Sequence, residues 1–179
     1  MHYGSIKLLD VANGPGIRVS LFVSGCRNHC KGCFQKETWD FLYGKEYTKA
    51  TEDEIIASLS YPHIKGLTIL GGEPFEPENQ VALLPLIERV RRELKDKTIW
   101  MFSGYRLDDE ILKEGVHPNT PISKRIISLI DVLVDGRFIE EKKNISLVFR
   151  GSENQRIIDV KKTLNEGKIV LWDERLTKE

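Results

Sequence analysis

Three cysteines fall within one octet, Cys26-Arg27-Asn28-His29-Cys30-Lys31-Gly32-Cys33, at C-x3-C-x2-C spacing, and the chain has no others. Thiolates are soft ligands, and a loop this short can present all three to one centre. Two kinds of centre fit. A four-iron, four-sulfur cluster held by Cys26, Cys30 and Cys33 keeps one iron open for a non-protein ligand, which points to chemistry rather than electron storage. A tetrahedral zinc completed by His29 would be structural instead. His29 itself reads more naturally as a solvent-facing loop residue than as a ligand. An odd number of thiols packed this closely makes a poor disulfide framework, so the pattern implies a reducing compartment.

Three further turns carry groups able to hold a small polar ligand. In Gly71-Gly72-Glu73-Pro74 the glycines let backbone approach a ligand closely, carbonyls can accept from an ammonium, and the Glu73 carboxylate favours a cation. By itself such a segment is also an ordinary strand-to-helix turn. Ser103-Gly104-Tyr105 and Asp135-Gly136-Arg137-Phe138 are placed alike. Asp135 can accept from paired hydroxyls such as those of a ribose, and Arg137 offers fixed donors to a carboxylate or hydroxyl. A structural Asp135–Arg137 ion pair is the competing reading.

What would bring these turns together is the element in front of each. Apolar, β-rich runs at 17–23, 67–70, 98–102 and 132–134 precede the four of them, and 145–149 and 169–172 read as two more strands. Helical patterns lie between. Thr51-Glu52-Asp53-Glu54 has capping-box spacing, with Thr51 as the cap and Ile55, Ile56 and Leu59 behind it. Val81, Leu84, Ile87, Val90 and Leu94 recur at helical spacing; Pro85 should kink or restart that helix, and Arg89, Arg91, Arg92 and Lys95 should form a solvated face. Shorter helices are expected at 108–113 and 123–130.

Strand, helix, strand in succession implies right-handed crossovers and an α/β fold with a mainly parallel sheet. A closed eight-unit barrel takes about 250 residues. A single domain of 179 residues therefore predicts an incomplete TIM-type barrel, curved and open on one side. In a parallel barrel all strand C-termini share one rim, so the cysteine loop and the three turns should converge on one cleft.

The 27 basic and 27 acidic residues cancel, leaving no overall field to draw the molecule onto nucleic acid or a membrane surface. No apolar run approaches the 18 residues that span a bilayer. The expectation is a soluble cytoplasmic protein without a nucleic-acid or membrane partner.

The cysteine triad followed by Phe34, together with the Gly-Gly-Glu-Pro turn, resembles the radical S-adenosylmethionine superfamily. Gly14-Pro15-Gly16-Ile17-Arg18 resembles the branch that installs glycyl radicals, although Asn13 stands where many members carry aspartate. Arg150-Gly151-Ser152-Glu153-Asn154-Gln155-Arg156, with 131–138 before it, is similar to the activators of anaerobic ribonucleotide reductases. The resemblance covers residues 14–160. It implies a 4Fe-4S cluster on Cys26, Cys30 and Cys33 whose open iron is chelated by the amino and carboxylate groups of S-adenosylmethionine. It further implies that Gly71, Gly72 and Glu73 face the methionine ammonium, Phe34 the adenine, Asp135 and Arg137 the ribose and carboxylate end, with Ser103 in a cofactor-facing turn. The implied partners are a flavodoxin-like electron donor and a protein substrate, an anaerobic ribonucleoside-triphosphate reductase. Rival readings within the superfamily are an activator of a different glycyl radical enzyme and a small-molecule enzyme; the 150–156 stretch argues against both. Ser103-Gly104-Tyr105-Arg106 also resembles a loop that carries a glycyl radical, but it lacks the Arg-Val that precedes such a glycine.

Overall fold

The computed structural model describes residues 1–173. Four of the apolar runs form the centre of the sheet: β2 (Ile17–Val23), β4 (Ile64–Gly71), β5 (Thr98–Ser103) and β6 (Val132–Asp135), paired parallel in that order. Strands covered on both faces need not alternate, and β2 accordingly buries every residue after Ile17. Two antiparallel strands border this centre. β1 (His2–Asp10) pairs with β2 and β7 (Arg156–Asp159) with β6, while the two-residue β3 (Lys45–Glu46) lies outside β1. The result is one mixed seven-stranded sheet in the order β3-β1-β2-β4-β5-β6-β7.

Two expected strands are absent. Residues 145–149 form turns and bends with Ile145 92% exposed; the Asn144 side chain accepts from the Ser146 amide and Phe149 sits at φ +52°, both incompatible with extended pairing. Residues 169–172 make one isolated bridge, Leu171 to Ile158, because the Val170 amide donates to the Thr163 hydroxyl instead of a ladder.

Four α-helices join these strands. α1 (Lys49–Leu59) begins earlier than its sequence signal: Thr48 is the cap, and Thr51 sits at the third helical position to close the capping box. Its Ile55, Ile56 and Leu59 are buried as expected. α2 (Pro77–Glu93) runs through Pro85 without restarting. The carbonyl that proline leaves without its donor belongs to Val81, itself 63% exposed, so water can satisfy it. The buried stripe of α2 is Leu83, Leu86, Ile87 and Val90. Arg89 and Arg91 do not join a solvated face: Arg89 pairs with Glu52, Asp53 and Glu93, and Arg91 with Asp131 and the Leu129 carbonyl. Arg92 and Lys95 stay exposed. A single π-type turn, Leu107–Ile111, stands where 108–113 read as a helix; α3 (Ser123–Leu129) and α4 (Val160–Glu166) complete the set.

All four helices pack on one face of the sheet, in a core that includes Leu21, Ile69, Met101 and Leu133. The other face carries Trp100, Val132, Val134 and Ile157, and the chain near Phe149 and Trp172 folds over its lower half. Trp100 meets Trp172 and Phe149 edge-on, with centroids 5.1 and 5.4 Å away. Arg18 is fully buried beside them. Its guanidinium donates to Thr68 Oγ1 at 2.7 Å, Thr98 Oγ1 at 3.0 Å and the Leu67 carbonyl at 2.8 Å, and lies 5.7 Å from the Trp100 ring. Burial lowers its pKa to about 10, so it remains a cation at neutral pH.

One side chain from β2 thus ties β4 and β5 together. Arg18→Leu should lower stability by about 3 kcal/mol, since buried acceptors lose a charged donor. Urea unfolding checks this, and a loss under about 1 kcal/mol would mean that Arg18 is not a tie.

Candidate metal centre and cofactor cleft

The C-terminal ends of the parallel strands lie along one edge, with Val23 opposite Gly71 and Ser103 opposite Asp135. The cysteine loop leaves β2 at this edge. Backbone pairing continues past both strands: the Gly72 amide donates to the Val23 carbonyl at 2.7 Å and the Glu73 amide to the Gly25 carbonyl at 2.8 Å. A Cβ on Gly72 would stand 2.7 Å from the Gly25 oxygen, and one on Gly71, at φ +107°, 2.7 Å from the Val23 oxygen. Both glycines therefore make room for the cysteine loop's own backbone.

Glu73 is fully buried at the junction of three loops. Its carboxylate accepts from Ser103 Oγ at 2.7 Å, the Gly104 amide at 2.7 Å, the Phe75 amide at 2.9 Å and Asn28 Nδ2 at 3.0 Å. Burial pushes its pKa up to about 7 against the pull of these donors. The oxygens expected to face a ligand's ammonium thus bind the Gly-Gly-Glu-Pro turn to the Ser-Gly-Tyr turn and the cysteine loop. Ser103 is committed to the same junction, accepting also from the Tyr105 amide at 3.0 Å.

The Asp135–Arg137 pair weighed from the sequence does not form. Asp135, fully buried, accepts from the Leu107 amide at 2.8 Å and takes Arg156 bidentately at 2.9 and 2.5 Å. Arg137 lies 5.2 Å from the Tyr105 ring and pairs with Glu110 at 2.7 Å. Asn154 donates to the Arg137 carbonyl and Gln155 to the Gly136 carbonyl, both within 2.9 Å. Three consecutive side chains, Asn154, Gln155 and Arg156, thereby hold three consecutive residues of the Asp-Gly-Arg turn. The sequence marks this stretch without giving it a role; the missing signal is the antiparallel β6–β7 register, which sets Arg156 opposite Asp135.

Cys26 is buried and Cys30 and Cys33 are partly so. Burial, reinforced by the Glu73 charge, pushes the Cys26 thiol up to about 12, and burial also raises Cys30. Neutral thiols are favoured there until bound cations displace their protons. Among the described residues no three His, Cys, Asp or Glu side chains gather as a site for a metal ion. His29, the candidate fourth zinc ligand, stacks its ring on Trp39 at 4.5 Å.

Cys33, Phe34 and Gly71 line a cavity of about 390 Å³ with Phe22, Leu70 and Phe102 of the sheet face below. A second cavity of about 290 Å³ shares Asn13, Leu70, Phe102, Arg150 and Gly151 with it, making one continuous cleft. Phe34, 65% exposed, meets Phe138 at 5.0 Å, and a Cβ on Gly151 would stand 3.2 Å from Phe138 and 3.4 Å from Phe34. The structure thus gathers Cys33, Phe34 and Gly71 at the cleft, sets Gly72, Glu73 and Ser103 behind it, and holds Asp135 and Arg137 in ion pairs at its side.

Residues 12–158 match the family model of a 4Fe-4S single cluster domain. The anaerobic ribonucleoside-triphosphate reductase-activating protein of Escherichia coli K12 is 41% identical over 157 residues, covering 87% of this chain and 96% of that protein. Its counterpart in Vibrio cholerae is 44% identical over 162 residues, covering 88% and 97%. The chain belongs to this family. A viral member, from Enterobacteria phage T4, is 35% identical over 157 residues, covering 88% of this chain and 93% of that protein. The matched region takes in the cysteine loop and every turn of the cleft. Among the described residues no helix is long and apolar enough to cross a membrane.

Three thiols on one loop suit three corners of a 4Fe-4S cluster, and the seating of that loop depends on Gly72. Gly72→Ala should therefore lower iron and sulfide uptake several-fold on anaerobic reconstitution. Lys95→Ala, at an exposed position just beyond the end of α2, should leave uptake unchanged. Full loading of Gly72→Ala would show that the close approach is not needed.

Proposed function

We propose that this chain activates an anaerobic ribonucleoside-triphosphate reductase by generating a glycyl radical on it. The observation that carries the reading is the shared cleft, in which the cysteine loop and the Gly71 edge open on one apolar floor. Its support from relatives is the activity for which the family is named. Cys26, Cys30 and Cys33 would hold a 4Fe-4S cluster, which when reduced would supply one electron for the cleavage of S-adenosylmethionine to methionine and a 5′-deoxyadenosyl radical.

The chain's residues bind, orient and keep water out. Gly71 presents main chain to the methionine end, Gly72 seats the cysteine loop behind it, and Glu73 fixes that edge through its four donors. Phe34 and Phe138 offer an aromatic wall for adenine, while Phe22, Leu70 and Phe102 exclude water from beneath the reacting carbon. Asp135 serves the ribose end by holding the Asp-Gly-Arg turn in place through Arg156. Arg137, 44% exposed at its side chain and paired with Glu110 near the surface, can exchange that partner for a ligand carboxylate.

We read the sheet as an arc of a (β/α) barrel within one domain. Support comes from the succession of β2, β4, β5 and β6 in chain order with the four helices on one face, which leaves the cleft on the other face. That opening admits the reductase's glycine loop. A flavodoxin-like protein supplies electrons, and a reducing cytoplasm suits the three thiols.

Anaerobic mixing of the reconstituted protein with S-adenosylmethionine, a reductant and the reductase from the same source should give the doublet electron paramagnetic resonance signal of a glycyl radical. Cys30→Ala, which removes a cluster ligand, should give none. A doublet that survives Cys30→Ala, or one that forms only with a different glycyl radical enzyme, would overturn the reading.

A further inference from the structure

Glu76 lies outside every motif identified in the sequence, yet it is a fully buried carboxylate beside the cysteine loop. It accepts from the Arg27 amide at 2.8 Å and from Arg27 Nη1 at 2.5 Å, and also meets His117 Nε2 at 2.8 Å and Tyr105 OH at 3.2 Å. Glu73 and Asn79 flank it at intervals of three residues, both fully buried. Glu73 receives Asn28, and Asn79 Nδ2 donates to the Ser24 carbonyl at 3.0 Å. Three side chains from the turn into α2 thus grip successive parts of 24–28.

The other half of the loop is held differently. Cys33 donates its amide to the Cys30 carbonyl at 3.1 Å, and Lys31 pairs with Glu140 and Glu141 in a group whose side chains are 45–76% exposed. Exposed pairs of this kind contribute little. Cys26 is therefore on a segment gripped by buried polar side chains, whereas Cys30 and Cys33 are held by a backbone turn, exposed ion pairs and the ring contacts of His29 and Phe34.

We propose that Glu76 is a positioning residue for the metal centre: through Arg27 it fixes Cys26 relative to the Gly71 edge, leaving Cys30 and Cys33 to close around the cluster. It acts through the loop and touches neither cluster nor substrate. The claim deepens the proposed function, but its first test needs no cluster.

In the full-length protein without a cluster, Glu76→Gln should raise hydrogen exchange at the Arg27 amide about tenfold or more, while β4 amides keep their protection. On reconstitution the same variant should assemble its cluster several-fold more slowly and give a broadened signal from the reduced cluster. Glu78→Gln, which removes an exposed partner of Arg27, should match the wild type in both. Should Glu76→Gln fail to fold, Arg27→Ala must reproduce the slow assembly and broadened signal. Wild-type exchange at Arg27 in a folded Glu76→Gln protein, or exchange raised uniformly through β4, overturns the proposal, as does an unperturbed Arg27→Ala cluster. If the wild type binds no cluster, the proposed function falls, while the exchange pattern still decides the clamp.

Discussion

The parallel pairing of β2 with β4 does not end where the strands end. Two more hydrogen bonds carry it into the turns, from Gly72 to Val23 and from Glu73 to Gly25, and everything at the cleft rests on this extension. Backbone separation so small leaves no volume for a Cβ, which is why glycine occupies 71 and 72. The same extension carries Glu73 into the interior, where a carboxylate without donors would be costly. Ser103, Gly104, Phe75 and Asn28 supply them. One main-chain contact thereby fixes the relation between the cysteine loop and the turns after β4 and β5.

A second consequence concerns charge. The carboxylates at the rim are almost all committed to partners: Asp135 to Arg156, Glu110 to Arg137, Glu76 to Arg27. Truncating Arg156 would leave the buried Asp135 without its cation, at a cost of roughly 3–5 kcal/mol, whereas the half-exposed Arg27 and Arg137 ends of the other two pairs contribute less. These pairs brace the turns beside the cleft, whose lining combines Phe22, Leu70 and Phe102 with the polar Lys7, Asn13, Gln35 and Gln155.

How much was legible followed from the kind of constraint. β2 could be read to its ends because Ile17, Val19, Leu21, Phe22 and Val23 are β-formers bounded by glycine turns, even though Arg18 and Ser20 are buried among them. β1 could not: lying between β2 and the two-residue β3, it buries only Tyr3 and Asp10 and shows no clean alternation. β7 is short and opens on Arg156, a residue chosen by the cross-strand demand of Asp135 rather than by strand propensity. The place of the cysteine loop, directly after a strand, was legible from the sequence. Its supports were not, because Glu76, Asn79 and Arg156 are ordinary polar residues until the sheet places them. Gly72 shows the same limit, since in the sequence it reads as access for a ligand and in the fold it admits Gly25.

Under the proposed function, hydrogen passes directly from a protein glycine to the adenosyl carbon at the cleft. The decisive measurement places deuterium on the α-carbon of the reductase's glycine and analyses the 5′-deoxyadenosine formed during activation. Direct transfer places deuterium in that product, in proportion to the glycyl radical formed and only when the reductase is present. Unlabelled 5′-deoxyadenosine formed in step with the radical would contradict it, because the hydrogen would then have come through an intermediate carrier.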